Sequence, residues 1–465
     1  MWEQWNHIRM HKRLHLGKHD KKKKNDVDMK IAVIGLGFVG LSLTAVLSSK
    51  GYKTIGIDVD KTKCRNISQG ISTFFEPELE KMLNDGLKNG LRISNDFSLI
   101  RDCDYIFVTV GTPQRPNGAI DLSMIKNAVT SVAEIIRSNK NNPIILIKST
   151  VIPGTMKDVI LPILEKTSHK NAGKDFGLIS NPEFLQESSA IRDTKFPHAV
   201  VLGGYQTKYM IKTKKFFEKL HKKTPIIVTN HQTAEMIKYA NNSFLATKIS
   251  FINQLSNICQ RIPGANIDDV AKTIGLDPRI GKLFLRAGPG YGGSCLPKDM
   301  KALIKFSKST GIKPILLDAV EETNSRQLKQ IITLLEKKLG NISSKQITIL
   351  GTAFKPETDD IRDSVAIELI KKLLKKKARI IVHDPKAIEN TKKVFGKKIS
   401  YESSIGDSLE KSQCAIIMTE WKSFRKINNN LLKKMKRKLL IDCRRMLSDR
   451  KFDVDYNALG MGKEI

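Results

Sequence analysis

The 465-residue sequence lacks the features that mark membrane, disulfide-rich and metal-binding proteins. It contains no run of about 18 apolar residues, so no membrane-spanning helix is expected. Its six cysteines have neither the spacing of a disulfide scaffold nor a Cys-x-x-Cys pair, and no histidine–cysteine cluster has the spacing of metal ligands. We therefore expect a cytoplasmic protein without a metal site and without a membrane partner.

The first 28 residues also lack the apolar core of a secretory signal peptide. They are polar and basic, with Lys21–Lys24 and four histidines, whereas an apolar β-type run begins directly after Met29. We expect residues 1–28 to form a basic, disordered tail whose histidines are solvated rather than metal ligands.

Aromatic residues are scarce, at 6%, while the formal net charge is +33. Such a charge is one signature of nucleic-acid binding. The lysines, however, are spread along the chain among helical leucines, with few aromatic residues between them. We interpret them as a solvated surface that also attracts anionic small molecules. A basic nucleic-acid-binding protein remains the non-enzyme alternative.

Short apolar strands alternate with helices in two stretches of the chain, which predicts an α/β fold with parallel sheets. The predicted architecture is two Rossmann-like, doubly wound domains joined by a long central helix, Ala234–Cys259. The expected boundaries are a dinucleotide-binding domain at 29–230, a central helical region at 231–330 and a second Rossmann-like domain at 331–465.

A glycine-rich turn lies between the first predicted strand and the helix that follows it. Ile31–Ile34 leads into GLGFVG at residues 35–40, and the next predicted strand ends at Asp58, 23 residues after Gly35. In this context the pattern predicts that the pyrophosphate of a dinucleotide binds at the helix N-terminus. The acid should bind the ribose hydroxyls and disfavour a 2′-phosphate, so we predict NAD. The predicted NAD-binding residues from this turn and the later strand ends are Gly35, Gly37, Phe38, Val39, Gly40, Asp58, Lys63, Gly111, Thr112, Ser149 and Thr150.

Cys295 has a setting that no other cysteine shares. It lies in GPGYGGSCLPKD, residues 288–299, where glycines allow close approach of a ligand and Lys298 and Asp299 follow the thiol. A thiol beside a cation is expected to be more acidic, and the thiolate is a nucleophile. The other five are interpreted as small buried hydrophobes: Cys64, Cys103, Cys259, Cys414 and Cys443.

An NAD site beside a nucleophilic cysteine suits oxidation of an alcohol to a carboxylate. The thiolate adds to the aldehyde, a second oxidation gives a thioester, and water releases the acid. Two further patterns supply polar groups. NPEFLQE at 181–187 carries Glu183 and Glu187, which one helical turn could direct inward, and Lys238 and Asn242 lie four residues apart on a predicted helix. An ordinary two-electron hydroxyacid dehydrogenase is the alternative enzyme, and it would not need Cys295.

Together, residues 181–187 and 290–299 resemble the motifs of the UDP-glucose/GDP-mannose dehydrogenase family, and the resemblance extends from Met29 to about Arg445. That family oxidises a nucleotide-linked hexose by four electrons with NAD. The resemblance implies that Cys295 is the nucleophile and that Asp299 assists the hydrolytic water. It implies that Glu183 is the base in hydrolysis of the thioester. It also implies that Lys238 and Asn242 hold the oxyanion and act with Thr150 in proton transfer.

Further positions follow from the same resemblance. Glu187 and Arg362 would lie at the cofactor, and Arg279 would reach the sugar nucleotide of a neighbouring subunit, which implies a homo-oligomer of two or more chains. The implied UDP-sugar contacts are Glu183, Phe184, Leu185, Lys238, Asn242, Arg279, Tyr291, Gly292, Phe354, Lys355 and Arg444.

The hexose is less well determined. Ser294 and Lys298 favour the glucose type of this family, so the expected substrate is a UDP-hexose, namely UDP-glucose. Gln186, Ser188 and the FPH segment at 196–198 depart from the usual family pattern near the sugar. A UDP-N-acetylhexosamine of the mannosamine or glucosamine type is therefore the alternative substrate.

Overall fold

A computed structural model of the chain describes residues 28–139, 141–205 and 207–462. All but the last residue of the predicted tail, with its histidines and lysines, lies outside these ranges. Within them no helix is long and apolar enough to cross a membrane.

The first half contains an eight-stranded sheet. Its strands are β1 (Lys30–Ile34), β2 (Lys53–Ile57), β3 (Arg92–Ser94), β4 (Tyr105–Val108), β5 (Ile144–Ile147), β6 (Gly177–Ser180), β7 (Val200–Gly203) and β8 (Ile226–Thr229). Its helices are α1 (Phe38–Ser49), α2 (Lys61–Ser68), α3 (Leu79–Lys88), α4 (Ser123–Arg137), α5 (Leu161–Ser168), α6 (Ala190–Lys195) and α7 (Lys208–Leu220). A 3₁₀ turn at Phe97–Ile100 and a π turn at Met156–Ile160 complete this half.

The strand order is β3-β2-β1-β4-β5-β6-β7-β8, which contains the Rossmann order. Strands β4, β5, β6 and β7 are buried along their whole length, because helices cover both faces of the sheet. One feature differs from a simple parallel sheet: β7 pairs with β6 antiparallel, while β8 is parallel to β7. The segments that precede β7 and β8 therefore reach the same edge as the carboxyl ends of β1 to β6.

The central region is helical, as predicted. It contains α8 (His231–Cys259), α9 (Ile267–Ile274), α10 (Leu296–Ser309) and α11 (Ile315–Leu339). Helix α8 begins where Asn230 accepts the Thr233 N–H at 2.8 Å, and its 29 residues contain neither glycine nor proline. At 1.5 Å per residue the helix is about 43 Å long.

The last part of the chain forms a six-stranded parallel sheet. Its strands are β9 (Gln346–Leu350), β10 (Arg379–His383), β11 (Ser400–Tyr401), β12 (Cys414–Ile417), β13 (Leu439–Asp442) and β14 (Asp455–Ala458). The helices are α12 (Val365–Lys375), α13 (Ile388–Phe395), α14 (Ile405–Leu409) and α15 (Asn429–Leu432), with 3₁₀ turns at Gly396–Lys398 and Lys422–Lys426. The order β11-β10-β9-β12-β13-β14 repeats the Rossmann arrangement. The predicted fold class is thus confirmed. The edge strands β11 and β14 are short and partly exposed, and they carry no apolar run.

Candidate active site

The glycine turn after β1 fits a dinucleotide. Gly35 has φ +90° and donates its N–H to the Ile57 carbonyl at 2.7 Å. A Cβ at Gly40 would lie 1.9 Å from the Gly35 carbonyl oxygen, so helix α1 can pack this closely only with glycine there. A Cβ at Gly37 would meet no atom within 4 Å, which leaves that side of the turn open.

Helix α1 begins after Gly37 with no side-chain cap and no acidic residue in its first turn. Its first N–H groups and the positive end of its dipole are therefore available to an anion. Phe38 lies at this end, with its ring centroid 3.9 Å from that of Phe74.

Asp58 lies at the end of β2 beside this turn. Its carboxylate accepts the Leu36 N–H at 2.8 Å, the Asp60 N–H at 3.0 Å and the Lys63 ammonium at 2.9 Å. Burial opposes the charge, but these hydrogen bonds outweigh burial and hold the pKa of Asp58 below its ordinary value. The ionised carboxylate can accept hydrogen bonds from the ribose hydroxyls, and the uncapped helix end can donate to the pyrophosphate, so the residues present fit NAD. Lys63, another predicted NAD-binding residue, pairs with this carboxylate.

The loops after β4 and β5 join the same edge of the sheet. The Thr112 hydroxyl donates to the Thr150 carbonyl at 2.8 Å, and the Ser149 hydroxyl donates to the Val110 carbonyl at 2.7 Å. Gly111 is exposed between them. The predicted loop residues of the NAD site are thus brought together where the strand order reverses, between β1 and β4.

Cys295 lies directly before α10, which has Cys295 as its N-cap residue and no side-chain cap. It is exposed, whereas the other five cysteines are buried, as the sequence predicted. The glycines of its loop allow a second segment to approach: a Cβ at Gly292 would lie 2.3 Å from the Asp363 carbonyl oxygen, and one at Gly293 would lie 2.6 Å from the Phe354 ring.

Two buried pairs surround the thiol. Lys238 Nζ lies 2.9 Å from Glu183 Oε1, and their side chains are only 4% and 9% exposed. Asn242 donates from Nδ2 to Asp299 Oδ2 at 2.6 Å, and Lys298 donates to the other carboxylate oxygen of Asp299. Helix α8 thus presents Lys238 and Asn242 on one face, as predicted, and the charges of Glu183, Lys238 and Asp299 all act on Cys295.

These pairs fix the charges of the site. Burial opposes ionisation of Glu183, but Lys238 outweighs it and lowers the pKa of Glu183. Burial likewise opposes the charge of Lys238, yet the carboxylates of Glu183 and Asp299 and the Cys295 thiolate raise its pKa. At neutral pH the site therefore contains a carboxylate that can accept a proton and an ammonium group that can donate hydrogen bonds.

The thiol itself is less acidic than the sequence suggested. Although the thiol is accessible, the protein packed around it disfavours the charged form, and together with the charges of Glu183 and Asp299 this raises the pKa of Cys295, against the lowering effects of Lys238 and of the hydrogen bond between Ser294 and Cys295. The expectation of an acidic thiol was wrong because the surrounding protein disfavours the thiolate and the nearby cations are offset by Glu183 and Asp299. Deprotonation of the resting thiol therefore needs a base.

Glu183 and Glu187 do not share a helical turn. Residues 181–186 have no regular structure, and Ser188 has φ +67°. The two carboxylates therefore have different partners. Glu187 accepts the Ser294 hydroxyl at 3.0 Å and lies 3.1 Å from Arg362 Nη2. Burial and the nearby Asp360 raise the pKa of Glu187 to about 8, against the charge of Arg362.

A long loop of the second Rossmann-like half, residues 352–364, reaches this site. Arg362 forms a bidentate pair with Asp360 and lies over the Phe38 ring of the NAD turn, 5.7 Å from its centroid. Lys355 donates from Nζ to the Glu187 carbonyl. The predicted cofactor residue Arg362 and the predicted substrate residues Phe354 and Lys355 thus lie beside the Cys295 loop.

The other predicted substrate residues lie at the margin of the site or on the surface. Arg444 pairs with Glu420 at 2.8 Å and packs on the Cys295 loop, where a Cβ at Gly288 would lie 2.9 Å from its guanidinium. The Tyr291 hydroxyl donates to Glu321 at 3.0 Å, so its polar tip is already engaged. Phe184 lies under Lys238 Nζ, 5.5 Å from it, and next to the half-buried Leu185. Arg279 is on the surface, paired with Asp277.

Two charged residues of the site were not singled out from the sequence. Lys148, at the end of β5, donates to Asn181 Oδ1 at 3.3 Å, and burial lowers its pKa to about 8, helped by Lys238 and opposed by Glu183. The sequence signal that identifies Lys148 as a site residue is its position directly after a fully apolar strand. Asp360 orients Arg362, and only its spacing of two residues from Arg362 hinted at this.

Comparisons with known proteins agree with this geometry. Residues 29–223 match the NAD binding domain of the UDP-glucose/GDP-mannose dehydrogenase family, residues 232–326 its central domain and residues 348–449 its UDP binding domain. A UDP-glucose 6-dehydrogenase of Haloferax volcanii is 36% identical over 434 residues, covering 93% of this chain and 100% of that protein. Another, from Bacillus subtilis, is 38% identical over 422 residues, with 90% of each covered.

Solved structures give the same match. A UDP-glucose dehydrogenase from the hyperthermophilic archaeon Pyrobaculum islandicum has a TM-score of 0.87 at 31% identity, covering 95% of this chain and 100% of that one. A UDP-D-ManNAc dehydrogenase from Pyrococcus horikoshii has a TM-score of 0.83 at 25% identity, covering 93% and 100%.

Proposed function

The chain belongs to the UDP-glucose/GDP-mannose dehydrogenase family, and we propose that it oxidises the C6 alcohol of UDP-glucose to the carboxylate through a covalent intermediate on Cys295. Its cofactor is NAD, which supplies the hydride acceptor for both oxidations. The observation that carries the proposal is the convergence of Cys295, the Lys238–Glu183 pair and the Asn242–Asp299 pair beside the NAD turn.

In the first oxidation the C6 hydroxyl would give its proton to a water held by Thr150 and Lys238, which passes it to solvent, and the C6 hydride would go to the nicotinamide, leaving the aldehyde. The Cys295 thiolate then adds to the C6 aldehyde. A carbon–sulfur bond forms, and the carbonyl electron pair moves to oxygen, where Lys238 and Asn242 donate hydrogen bonds. Lys238 suits this role because its raised pKa keeps it cationic in a buried position.

In the second oxidation the C6 hydride of this adduct would go to the nicotinamide while the oxygen electron pair re-forms the carbonyl, which leaves a thioester on Cys295. Hydrolysis of that thioester needs a base and a positioned water. Glu183 is the base, since Lys238 keeps its pKa low and the carboxylate remains ionised. Asp299, almost fully buried and held by Asn242, orients the water. The thiol is regenerated when the carbon–sulfur bond breaks and the sulfur takes a proton.

The UDP part lies against the second Rossmann-like half, with Phe354, Lys355 and Arg444 as its contacts. Arg279 is exposed and pairs only with the nearby Asp277 among the described residues. It is therefore available to the site of a second copy, and we assign it to the sugar nucleotide of a neighbouring subunit in a dimer or larger homo-oligomer.

The decisive experiment counts NADH per UDP-glucose consumed. We expect two, together with UDP-glucuronate as the product. Cys295→Ser should abolish turnover or release the aldehyde after one NADH, while the matched Cys259→Ser, at the far end of α8, should still give two. A ratio of one in the wild-type enzyme would instead indicate a two-electron dehydrogenase that does not use the thiol.

The same assay distinguishes the alternative substrates. UDP-N-acetylglucosamine, UDP-N-acetylgalactosamine and UDP-N-acetylmannosamine are tested beside UDP-glucose, and we expect UDP-glucose to have the highest kcat/KM. A preference for an N-acetylhexosamine would leave the Cys295 chemistry intact and reassign the sugar pocket. Absence of turnover on all four sugars, with salt-sensitive nucleic-acid binding, would favour a role for the basic surface instead.

A further inference from the structure

We propose that Ser294 is a catalytic residue: its hydroxyl contacts the Cys295 sulfur and passes the thiol proton to Glu187. This inference rests on the proposed role of Cys295 as nucleophile, and it assigns the base that the thiol lacks.

The three groups form a continuous chain. Ser294 Oγ lies 3.6 Å from Cys295 Sγ, and the same hydroxyl donates to Glu187 Oε1 at 3.0 Å. Because that hydroxyl proton points to Glu187, the Ser294 oxygen lone pairs are free to accept the thiol S–H. Cys295 is the N-cap residue of α10, whose N-terminus has no side-chain cap and favours negative charge near it.

The other carboxylates near the thiol are engaged by side chains other than Ser294. Glu183 is engaged by Lys238, which lowers the pKa of Glu183, and Asp299 is engaged by Asn242 and Lys298. Glu187 differs, because one of its carboxylate oxygens, Oε2, is buried without a hydrogen-bond partner among the described residues.

The groups that face Glu187 set its affinity for a proton. Burial and Asp360 raise its pKa to about 8, while Arg362 and the Ser294 hydroxyl lower it. Lys355 contacts its backbone carbonyl. A carboxylate that titrates near the working pH is suited to take a proton and return it in each cycle.

The step conserves atoms and electrons. The sulfur–hydrogen bond breaks as its proton moves to Ser294 Oγ, and the original hydroxyl proton of Ser294 moves to Glu187 Oε1. The sulfur keeps the bonding electron pair, so a thiol and a carboxylate become a thiolate and a carboxylic acid. No oxidant or reductant takes part.

The test is the pH dependence of Cys295 alkylation by iodoacetamide, without substrate or NAD, followed by peptide mass spectrometry. The other five cysteines are buried, so modification reports Cys295. In the wild-type enzyme we expect the rate to rise through about pH 8, where ionised Glu187 can take the thiol proton. In Ser294→Ala we expect a higher midpoint and a rate at pH 8 that is about tenfold lower, equivalent to one pKa unit.

Three companion variants separate this role from a structural one. Ser294→Thr keeps the hydroxyl and should restore the wild-type profile. In Glu187→Gln the amide oxygen can still accept a hydrogen bond from the Ser294 hydroxyl but cannot take up its proton. The rise of the alkylation rate near pH 8 should therefore be lost, and alkylation should follow the ionisation of the thiol itself at higher pH. Ser309→Ala, an exposed serine at the end of the same helix, should match the wild type.

Unchanged alkylation profiles in both Ser294→Ala and Glu187→Gln would overturn the proposal. Because the assay contains no sugar nucleotide, its result does not depend on turnover. If the shifts occur in an enzyme that fails to oxidise UDP-glucose, the proton path stands and the assigned substrate fails.

Discussion

The two Rossmann-like halves use the same turn after their first strand and then diverge. Gly35 has φ +90° and donates to the carbonyl at the end of β2, and Gly351 has φ +92° and donates to the carbonyl at the end of β10. In both halves an aspartate at the end of the second strand, Asp58 or Asp384, accepts the next backbone N–H, at 2.8 Å and 2.7 Å. Both turns therefore start from the same backbone arrangement.

The loop that follows decides what each half does. In the first half, helix α1 begins at Phe38, so its N-terminus faces the place of the pyrophosphate. In the second half, helix α12 begins only at Val365, and the intervening residues 352–364 extend to Glu187 and to the Cys295 loop. One half offers backbone N–H groups to a cofactor, whereas the other contributes side chains to the reaction centre.

The two aspartates also differ between the halves, in the number of protein donors that their carboxylates accept. Asp58 accepts three hydrogen bonds, one of them from the partly exposed Lys63. Asp384 accepts five, from the N–H groups of Thr352, Ala353, Lys386 and Ala387 and from the indole of Trp421. A carboxylate with five protein donors has little capacity left for a ribose, so the second site is structural.

Gly40→Val should have the largest effect, because its side chain would overlap the Gly35 carbonyl and the Thr109 hydroxyl. We expect the free energy of unfolding to fall by more than about 3 kcal/mol, with loss of NAD binding. Thermal unfolding with and without NAD measures both. Gly37→Ala is the matched control, since its Cβ meets no protein atom. It should keep the melting temperature of the apoprotein and lose only the NAD-induced shift.

Asp384→Asn should destabilise the second half. The amide offers fewer acceptor positions to five buried donors, so we expect a loss of about 2 kcal/mol of unfolding free energy. Denaturation followed by tryptophan fluorescence reports this, because Trp421 contacts the substituted group. Asp58→Asn should leave that transition in place. Equal losses in the two variants would mean that the aspartates do not differ in role.

Asp58→Ser should change cofactor preference rather than stability. Removing the carboxylate frees Lys63 for a 2′-phosphate, so the ratio of kcat/KM for NAD over NADP should fall about tenfold, or about 1.4 kcal/mol. Steady-state kinetics with both cofactors measures it. An unchanged ratio would show that Asp58 does not face the ribose.

Arg362→Ala should have the smallest effect of the four, and the effect should be a shift in a pH profile. Arg362 lowers the pKa of Glu187, so its removal raises that pKa and the carboxylate forms only at higher pH. The rise of Cys295 alkylation, expected near pH 8 in the wild type, should move to higher pH. Arg326→Ala, which removes a surface arginine paired with Glu322, should not shift it. A profile that stays fixed in Arg362→Ala would exclude control of Glu187 from the second half.

Much of this organisation was predictable from local patterns. The apolar run 31–34 and the strand predicted to end at Asp58 coincide with β1 and β2, and the predicted helix Ala234–Cys259 lies within α8. The family resemblance, drawn from residues 181–187 and 290–299, is confirmed by the matches along the chain. The short strands β3, β11 and β14 were not predicted, because an edge strand of two to four mixed residues leaves no periodic signal.

The amino-acid sequence determined the two α/β halves and the NAD turn, and it singled out Cys295 as the proposed nucleophile, because glycine conformation, strand periodicity and residue chemistry act over a few neighbouring positions. Only the tertiary structure decided that Glu183 binds Lys238 while Glu187 binds Ser294 and Arg362. It also decided that Cys295 is a weak acid at rest. Burial and charge depend on partners from distant segments, and no local pattern encodes which partners those are.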